Sequence, residues 1–127
     1  MENDGDELIK VIRPFGPSIA RVKMPNDLVQ NLNNYIDKII LDEIKSKDLN
    51  HGKRLAGHVT QEFKLENDLI VSSGFQKFLA SSVSKWMKLS ENKDLKEFKL
   101  ISSWVVRQFE NEYNPVHWHG GHVSGVG

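Results

Sequence analysis

Apolar side chains recur at helical spacing over residues 26–47, and this period constrains the fold more than any other feature. The stripe comprises Leu28, Leu32, Tyr35, Ile39, Ile40 and Ile44. Side chains three or four residues apart share one face of an α-helix, so the segment has to bury that face. Asp27 and Gln30 have the spacing of a capping box, and lysines near the far end suit the helix dipole. The pattern predicts one amphipathic helix over 26–47.

A second amphipathic helix is predicted over 74–89. Its stripe consists of Phe75, Phe78, Leu79, Val83, Trp86 and Met87. Ser73 and Gln76 have the spacing of another capping box. Because aromatic and aliphatic side chains at this spacing are usually buried, we interpret the stripe as core packing rather than as a ligand site.

Strand-like patterns occupy four further segments: 8–13, 18–23, 55–65 and 100–110. The first two are separated by a Pro-Phe-Gly-Pro sequence, which predicts a turn. The last is rich in β-branched and aromatic residues, as strands are. Polar residues at 48–54 and 90–99 are interpreted as connections. This order of elements predicts an α+β fold in a single domain, 1–127, behind a flexible leader at 1–7.

Composition narrows the classes of function. The net charge is zero, with 17 basic and 17 acidic residues, so no dominant basic field attracts nucleic acid or an anionic membrane. The absence of cysteine excludes disulfides and thiolate ligands. The acidic N-terminus is unlike a signal peptide, and no stretch reaches the roughly 18 apolar residues of a membrane helix. We therefore expect a soluble cytoplasmic protein that binds neither nucleic acid nor membrane.

Histidines are concentrated at one place: three of the five lie within 117–122. In an extended segment His117 and His119 would share a face, with Cα atoms about 6.5 to 7 Å apart. Their imidazoles could then converge on one metal ion at roughly 2.0 to 2.1 Å, with Trp118 directed the other way into packing. Imidazole alone does not choose among iron, zinc, copper and nickel. A third ligand could come from His122, from His58 or from a carboxylate.

Ordinary structural roles are an open alternative for each of these histidines. A His-x-His pair also occurs by chance. Taken singly, His122 is typical of a surface loop, and His58 is typical of a hydrogen-bonded, half-buried strand residue. Gly120 and Gly121 permit unusual backbone dihedrals next to the pair, and they could re-aim His122.

The segment WVVRQFENEYNPVHWHGGHVSGVG, residues 104–127, resembles a family of 2-oxoglutarate/Fe(II)-dependent oxygenases that is frequent in marine phages and bacteria. Members carry a motif like N-P-x-H-x-H-x-G followed by a strand of small residues. The matching residues here are Asn114, Pro115, His117, His119 and Gly121, followed by Val123, Ser124, Gly125 and Val126.

The resemblance implies an incomplete double-stranded β-helix, or jelly-roll, core with the two amphipathic helices packed on one side. It implies Fe(II) and 2-oxoglutarate as cofactors. It also implies oxidative decarboxylation of 2-oxoglutarate to succinate while a second substrate, a small molecule or a peptide, is oxidised. Carried over to this chain, His117 and His119 are the metal ligands. Tyr113 and Asn114 flank the pocket as cofactor-binding residues.

Two departures from the family pattern bear on these expectations. His119 stands where such oxygenases usually have the carboxylate of a two-His-one-carboxylate site, which changes the charge at iron by one unit. The family also has a distal histidine and an Arg or Lys that binds the far carboxylate of 2-oxoglutarate. Neither is recognisable here, so we expect the N-terminal portion of an oxygenase, whose open sheet edge would favour a homo-oligomer. The alternatives are a non-catalytic binding or structural protein, or a cupin-like metal protein that uses His117, His119 and His122.

Overall fold

The computed structural model describes residues 9–50 and 59–127. Their helices are α1 (Asn26–Leu41), α2 (Glu43–Leu49), α3 (Asn67–Ser72) and α4 (Phe75–Glu91). Their strands are β1 (Ile9–Ile12), β2 (Ile19–Val22), β3 (Gln61–Lys64) and β4 (Trp104–Arg107). These strands form two antiparallel sheets of two strands each, β1 with β2 and β3 with β4. The fold is therefore α+β, as the order of sequence patterns predicted.

The strands β1 and β2 form the predicted hairpin. Ile9 pairs with Val22 and Ile12 pairs with Ile19. Along β2, Val22 is half-buried while Ile19 and Arg21 are exposed, so the side chains alternate as the sequence indicated. The proline- and glycine-containing segment between the strands makes the turn.

The predicted single helix over 26–47 is wrong, because the segment forms α1 and α2 with a break at Asp42. This residue has an extended backbone, with φ of −95° and ψ of 102°. Its Oδ1 accepts hydrogen bonds from the backbone nitrogens of Ile44 and Lys45, each at 3.1 Å, and so caps α2. The break turns Ile44 out of the apolar stripe, and it is 76% exposed. The predicted cap residue Asp27 lies inside the first turn of α1.

The predicted helix over 74–89 is confirmed as α4, but its predicted capping box is wrong. The N-cap residue is Gly74, with a left-handed φ of 82° and no side-chain cap. The hydroxyl of Ser73 instead accepts from the nitrogen of Phe75 at 3.3 Å. The apolar stripe of α4 is half-buried rather than fully buried. The sequence patterns did not indicate α3, which buries Ile70.

The strand β3 confirms the second half of the strand predicted at 55–65, and β4 confirms the centre of the strand predicted at 100–110. Phe63 pairs with Val105 and is completely buried. Beyond the strands, the nitrogen of Leu65 donates to the carbonyl of Ser103 at 3.0 Å. The predicted connection at 90–99 is confirmed from residue 92 onward. The leader at 1–7, the start of the third strand at 55–58 and most of the connection at 48–54 lie outside the described residues.

The described chain divides into two compact units. One contains the β1–β2 hairpin and α4, which contacts β1. In this unit the indole nitrogen of Trp86 donates to the hydroxyl of Ser18 at 2.8 Å. The other unit contains α2, β3, β4 and the final segment, and α2 contacts β3. No helix in the described ranges combines the length and the apolar surface that crossing a membrane requires.

Candidate metal site at the histidine pair

The predicted site residues lie in the segment that follows β4. Residues 114–127 form neither helix nor strand, so the period-two alternation of a paired strand does not operate there. The prediction that Trp118 packs inward is therefore wrong, and its side chain is 87% exposed. His117, His119 and His122 are exposed as well.

The rings of His117 and His119 nevertheless lie next to each other. Their centroids are 4.7 Å apart, and the ring planes meet at 76°, edge to face. Exposure leaves both rings open to a ligand from solvent. The structure thus brings together the two side chains that the sequence singled out, and their role as metal ligands stays a prediction.

A backbone hydrogen bond fixes the ring of His117. Its Nδ1 lies 2.7 Å from the carbonyl oxygen of Pro115. A carbonyl oxygen only accepts, so Nδ1 must carry the hydrogen in this contact. In the neutral ring the lone pair is then on Nε2, which can bind a metal. Metal-binding histidines are commonly oriented by such a bond from the other ring nitrogen.

Trp104 connects the pair to the sheet. Its ring lies 5.2 Å from the ring of His119, centroid to centroid, with the planes tilted by 35°. Trp104 is the first residue of β4 and is 40% exposed. The ring of His119 therefore contacts both His117 and an aromatic side chain held by a hydrogen-bonded strand. The strand pattern located Trp104, but nothing in the sequence indicated this contact.

The turn before the pair is closed by hydrogen bonds. Asn111 has a left-handed φ of 64°, which asparagine tolerates better than most residues. The nitrogen of Glu112 donates to the carbonyl of Phe109 at 3.1 Å, and Gln108 Nε2 donates to the carbonyl of Glu112 at 2.5 Å. The chain continues from this turn to Pro115. The sequence patterns did not single out Glu112.

The predicted cofactor-binding residues Tyr113 and Asn114 lie between this turn and Pro115. Both are exposed, Tyr113 by 58%. They precede the carbonyl that accepts from His117. Their part in binding a cofactor stays a prediction.

No third ligand joins the pair in the part of the chain that the structure describes. Within residues 9–50 and 59–127, no group of three or more His, Asp or Glu side chains is arranged to hold a metal ion. His122 thus forms no three-histidine cluster with His117 and His119. The other predicted candidate, His58, lies outside the described residues. Gly121 separates His122 from the pair with a left-handed φ of 100°.

No family model, curated protein or solved structure matches this chain. A function therefore has to be inferred from the geometry of the histidine pair and from the motif that contains it.

Proposed function

We propose that this chain carries two ligands of the metal centre of a 2-oxoglutarate/Fe(II)-dependent oxygenase, His117 and His119. The observation that carries the proposal is the pair itself, two exposed rings with centroids 4.7 Å apart. The bond between His117 Nδ1 and the carbonyl of Pro115 adds to it, because it leaves Nε2 as the binding atom. The motif from Asn114 to Gly121, which resembles that of the family, directs the proposal to iron and 2-oxoglutarate.

The two imidazoles are suitable as two of the protein ligands of such a centre. Imidazole suits Fe(II), and iron oxygenases keep coordination positions open for their reactants. Two imidazoles would fill two positions, and the exposure of both rings is compatible with open positions beside them. A third protein ligand has to come from outside the pair. A carboxylate in that position would restore the usual charge at iron despite the histidine at 119.

The residues around the pair have distinct parts in this proposal. When bound, Fe(II) and 2-oxoglutarate would supply oxidation by O2, in which 2-oxoglutarate is decarboxylated to succinate and CO2 while a second substrate, a small molecule or a peptide, is oxidised. His117 and His119 bind the metal. Tyr113 and Asn114, which are exposed beside Pro115, contact the 2-oxoglutarate. Trp104 holds the ring of His119 from the side of β4.

The proposal also includes a jelly-roll core to which β3 and β4 belong. These strands are antiparallel, as in such a core, and the chain runs from β4 through the turn at 108–112 to the histidine pair. Phe63 is completely buried and its neighbour Glu62 is buried as well, so β3 is covered on both faces at this point. The described residues supply this one strand pair to the proposed core.

The test of function is binding of 2-oxoglutarate to the iron-loaded chain. Without oxygen, we expect Fe(II) and 2-oxoglutarate together to give the visible charge-transfer absorption of a chelate, which neither component gives with the protein alone. His119→Ala should remove this absorption, and His122→Ala should retain it. Exposure of the wild-type complex to oxygen should then yield succinate, provided that the protein preparation contains the third protein ligand of the metal.

Two results would count against an oxygenase. One is iron binding with no absorption change on addition of 2-oxoglutarate. The other is an absorption change that persists in His119→Ala, which would place the chelate elsewhere on the chain.

A further inference from the structure

We infer that Glu112 is a positioning residue for the metal pair, which ties the segment carrying His117 and His119 to the residue that precedes β3. This inference rests on the proposed function, since it assigns Glu112 a role in holding that site. Glu112 would not touch the metal. It would act through the backbone that leads to Pro115.

The carboxylate of Glu112 joins two distant parts of the chain. Its Oε1 accepts from the backbone nitrogen of Thr60 at 3.1 Å, across 52 residues of sequence, and also from the Thr60 hydroxyl. Its Oε2 accepts from the backbone nitrogen of Phe109 at 3.0 Å. Hydrogen bonds to an ionised carboxylate are stronger than those between neutral groups. Both oxygens therefore fix Glu112 between the loop and the start of β3.

Thr60 is itself held in place. Asn50, at the end of α2, donates from Nδ2 to the carbonyl of Thr60 at 2.9 Å. Its Oδ1 accepts from the backbone nitrogen of Glu62 at 3.1 Å. Glu112 is thus attached to a point that α2 and β3 fix together.

The backbone of Glu112 is fixed as firmly as its side chain. Its nitrogen donates to Phe109 and its carbonyl accepts from Gln108. Pro115 lies three residues further on, and its ring restricts the backbone there. The carbonyl of Pro115 then orients the imidazole of His117. Hydrogen bonds from Thr60 to Glu112 and from His117 Nδ1 to Pro115, joined by the short stretch of chain between Glu112 and Pro115, therefore connect Thr60 to the ring of His117.

Glu112→Gln should weaken the hydrogen bonds that the Glu112 carboxylate accepts, with little change in the size of the side chain. A glutamine amide replaces one acceptor oxygen by a donor, which would then face the N–H group of Phe109 or Thr60. Glu110→Gln is the matched control, because Glu110 is exposed, lies in the same loop and loses the same charge. Thr60→Ala is a milder second variant, which removes the hydroxyl and the γ-methyl group but keeps the backbone nitrogen that also donates to Glu112.

The experiment measures Ni(II) affinity of the whole chain by calorimetry, with thermal unfolding recorded for every variant. We expect about tenfold weaker binding for Glu112→Gln, as for other residues that orient metal ligands, and a change within about twofold for Glu110→Gln. Glu112→Asp keeps the charge and should recover part of the affinity. The visible spectrum of bound Co(II) should shift in Glu112→Gln, because a displaced ligand changes the coordination geometry.

The outcomes separate this inference from the proposed function. Wild-type protein that binds no Ni(II), or that binds it equally well as His119→Ala, overturns the proposed function and this inference with it. Binding that depends on His119 but is unchanged in Glu112→Gln, with unaltered Co(II) spectrum, overturns the inference alone. If Glu112→Gln does not fold, the Ni(II) affinity of Thr60→Ala tests the inference instead. A twofold to threefold loss of affinity supports the inference, and an unchanged affinity overturns it.

Discussion

The imidazole rings of His117 and His119 meet edge to face, with centroids 4.7 Å apart, although they belong to a segment without regular secondary structure. A paired strand is therefore not what brings them together. His117 is held by a hydrogen bond to the nearby Pro115, and His119 is held by a ring contact with Trp104, which lies earlier in the chain. These contacts can each be tested by substitution.

Gly121 gives the first prediction, because its φ of 100° is one that alanine adopts only with strain. An added Cβ would also lie 3.3 Å from Cδ1 of Ile101. Gly121→Ala should cost about 1 to 2 kcal/mol locally and loosen the segment around the pair. Amide hydrogen exchange at residues 116–123 should accelerate.

Gly120→Ala is the matched control for this prediction. The space around a Cβ at Gly120 is open, with nothing within 4 Å. Exchange in this variant should remain close to that of the wild type. Equal exchange rates in the two alanine variants would show that the left-handed dihedral at Gly121 does not hold the segment.

Trp104 gives the second prediction, because its ring contacts His119 at 5.2 Å. An aromatic pair of this kind contributes about 0.5 to 1.5 kcal/mol. Trp104→Ala should therefore weaken Ni(II) binding by roughly twofold to tenfold, and Trp104→Phe should weaken it less. Calorimetry on the folded variants measures both. Trp118→Ala controls for removal of an indole from an exposed position, and an equal loss in that variant would argue against a specific role for Trp104.

The ion pair between Arg13 and Glu91 gives the third prediction. Arg13 Nη2 lies 2.8 Å from Glu91 Oε1, and the same nitrogen donates to the carbonyl of Ser90 at 3.0 Å. The hydrogen bond from Arg13, aided by its positive charge, lowers the pKa of Glu91 from the usual 4.5. A lowered pKa in the folded state stabilises the fold above pH 4.5, and that stability is lost as the pH falls through the folded value.

Urea unfolding between about pH 5 and pH 3 measures this effect. Wild-type protein should lose more stability over that range than Glu91→Gln does. In an Arg13→Gln background the Glu91→Gln substitution should leave the pH dependence nearly unchanged, because the main cause of the lowered pKa is gone and only the weaker effect of Lys93 is left. An undiminished effect of Glu91→Gln in that background would show that Arg13 does not shift the pKa. The effect should be small because the pair is exposed.

Periodic patterns predicted the elements that packing determines. Alternation along Ile19–Val22 and the stripe of α4 each reflect one half-buried face, so the hairpin and this helix could be predicted. The break at Asp42 could not, because the apolar stripe continues through Ile44 while a single side chain caps the new helix. The short helix α3 offers too few turns for a helical period to be recognised.

The histidine pair could be predicted from the sequence, but the contacts that hold it in place could not. The spacing of His117 and His119 indicated neighbouring imidazoles, although the extended strand assumed for them is absent from residues 114–127. The bond between Thr60 and Glu112 spans 52 residues and belongs to no periodic pattern. Only three-dimensional structure shows such a contact. The exposure of Trp118 likewise follows from the lack of strand pairing around it.

The most direct measurement of the central claim is anaerobic Fe(II) titration of the wild-type chain and its single histidine variants by calorimetry. We predict one Fe(II) per chain, with affinity reduced at least about tenfold in both His117→Ala and His119→Ala and little changed in His122→Ala. Unchanged affinity in His117→Ala and His119→Ala, or an equal loss in His122→Ala, would contradict the assignment of the metal to this pair.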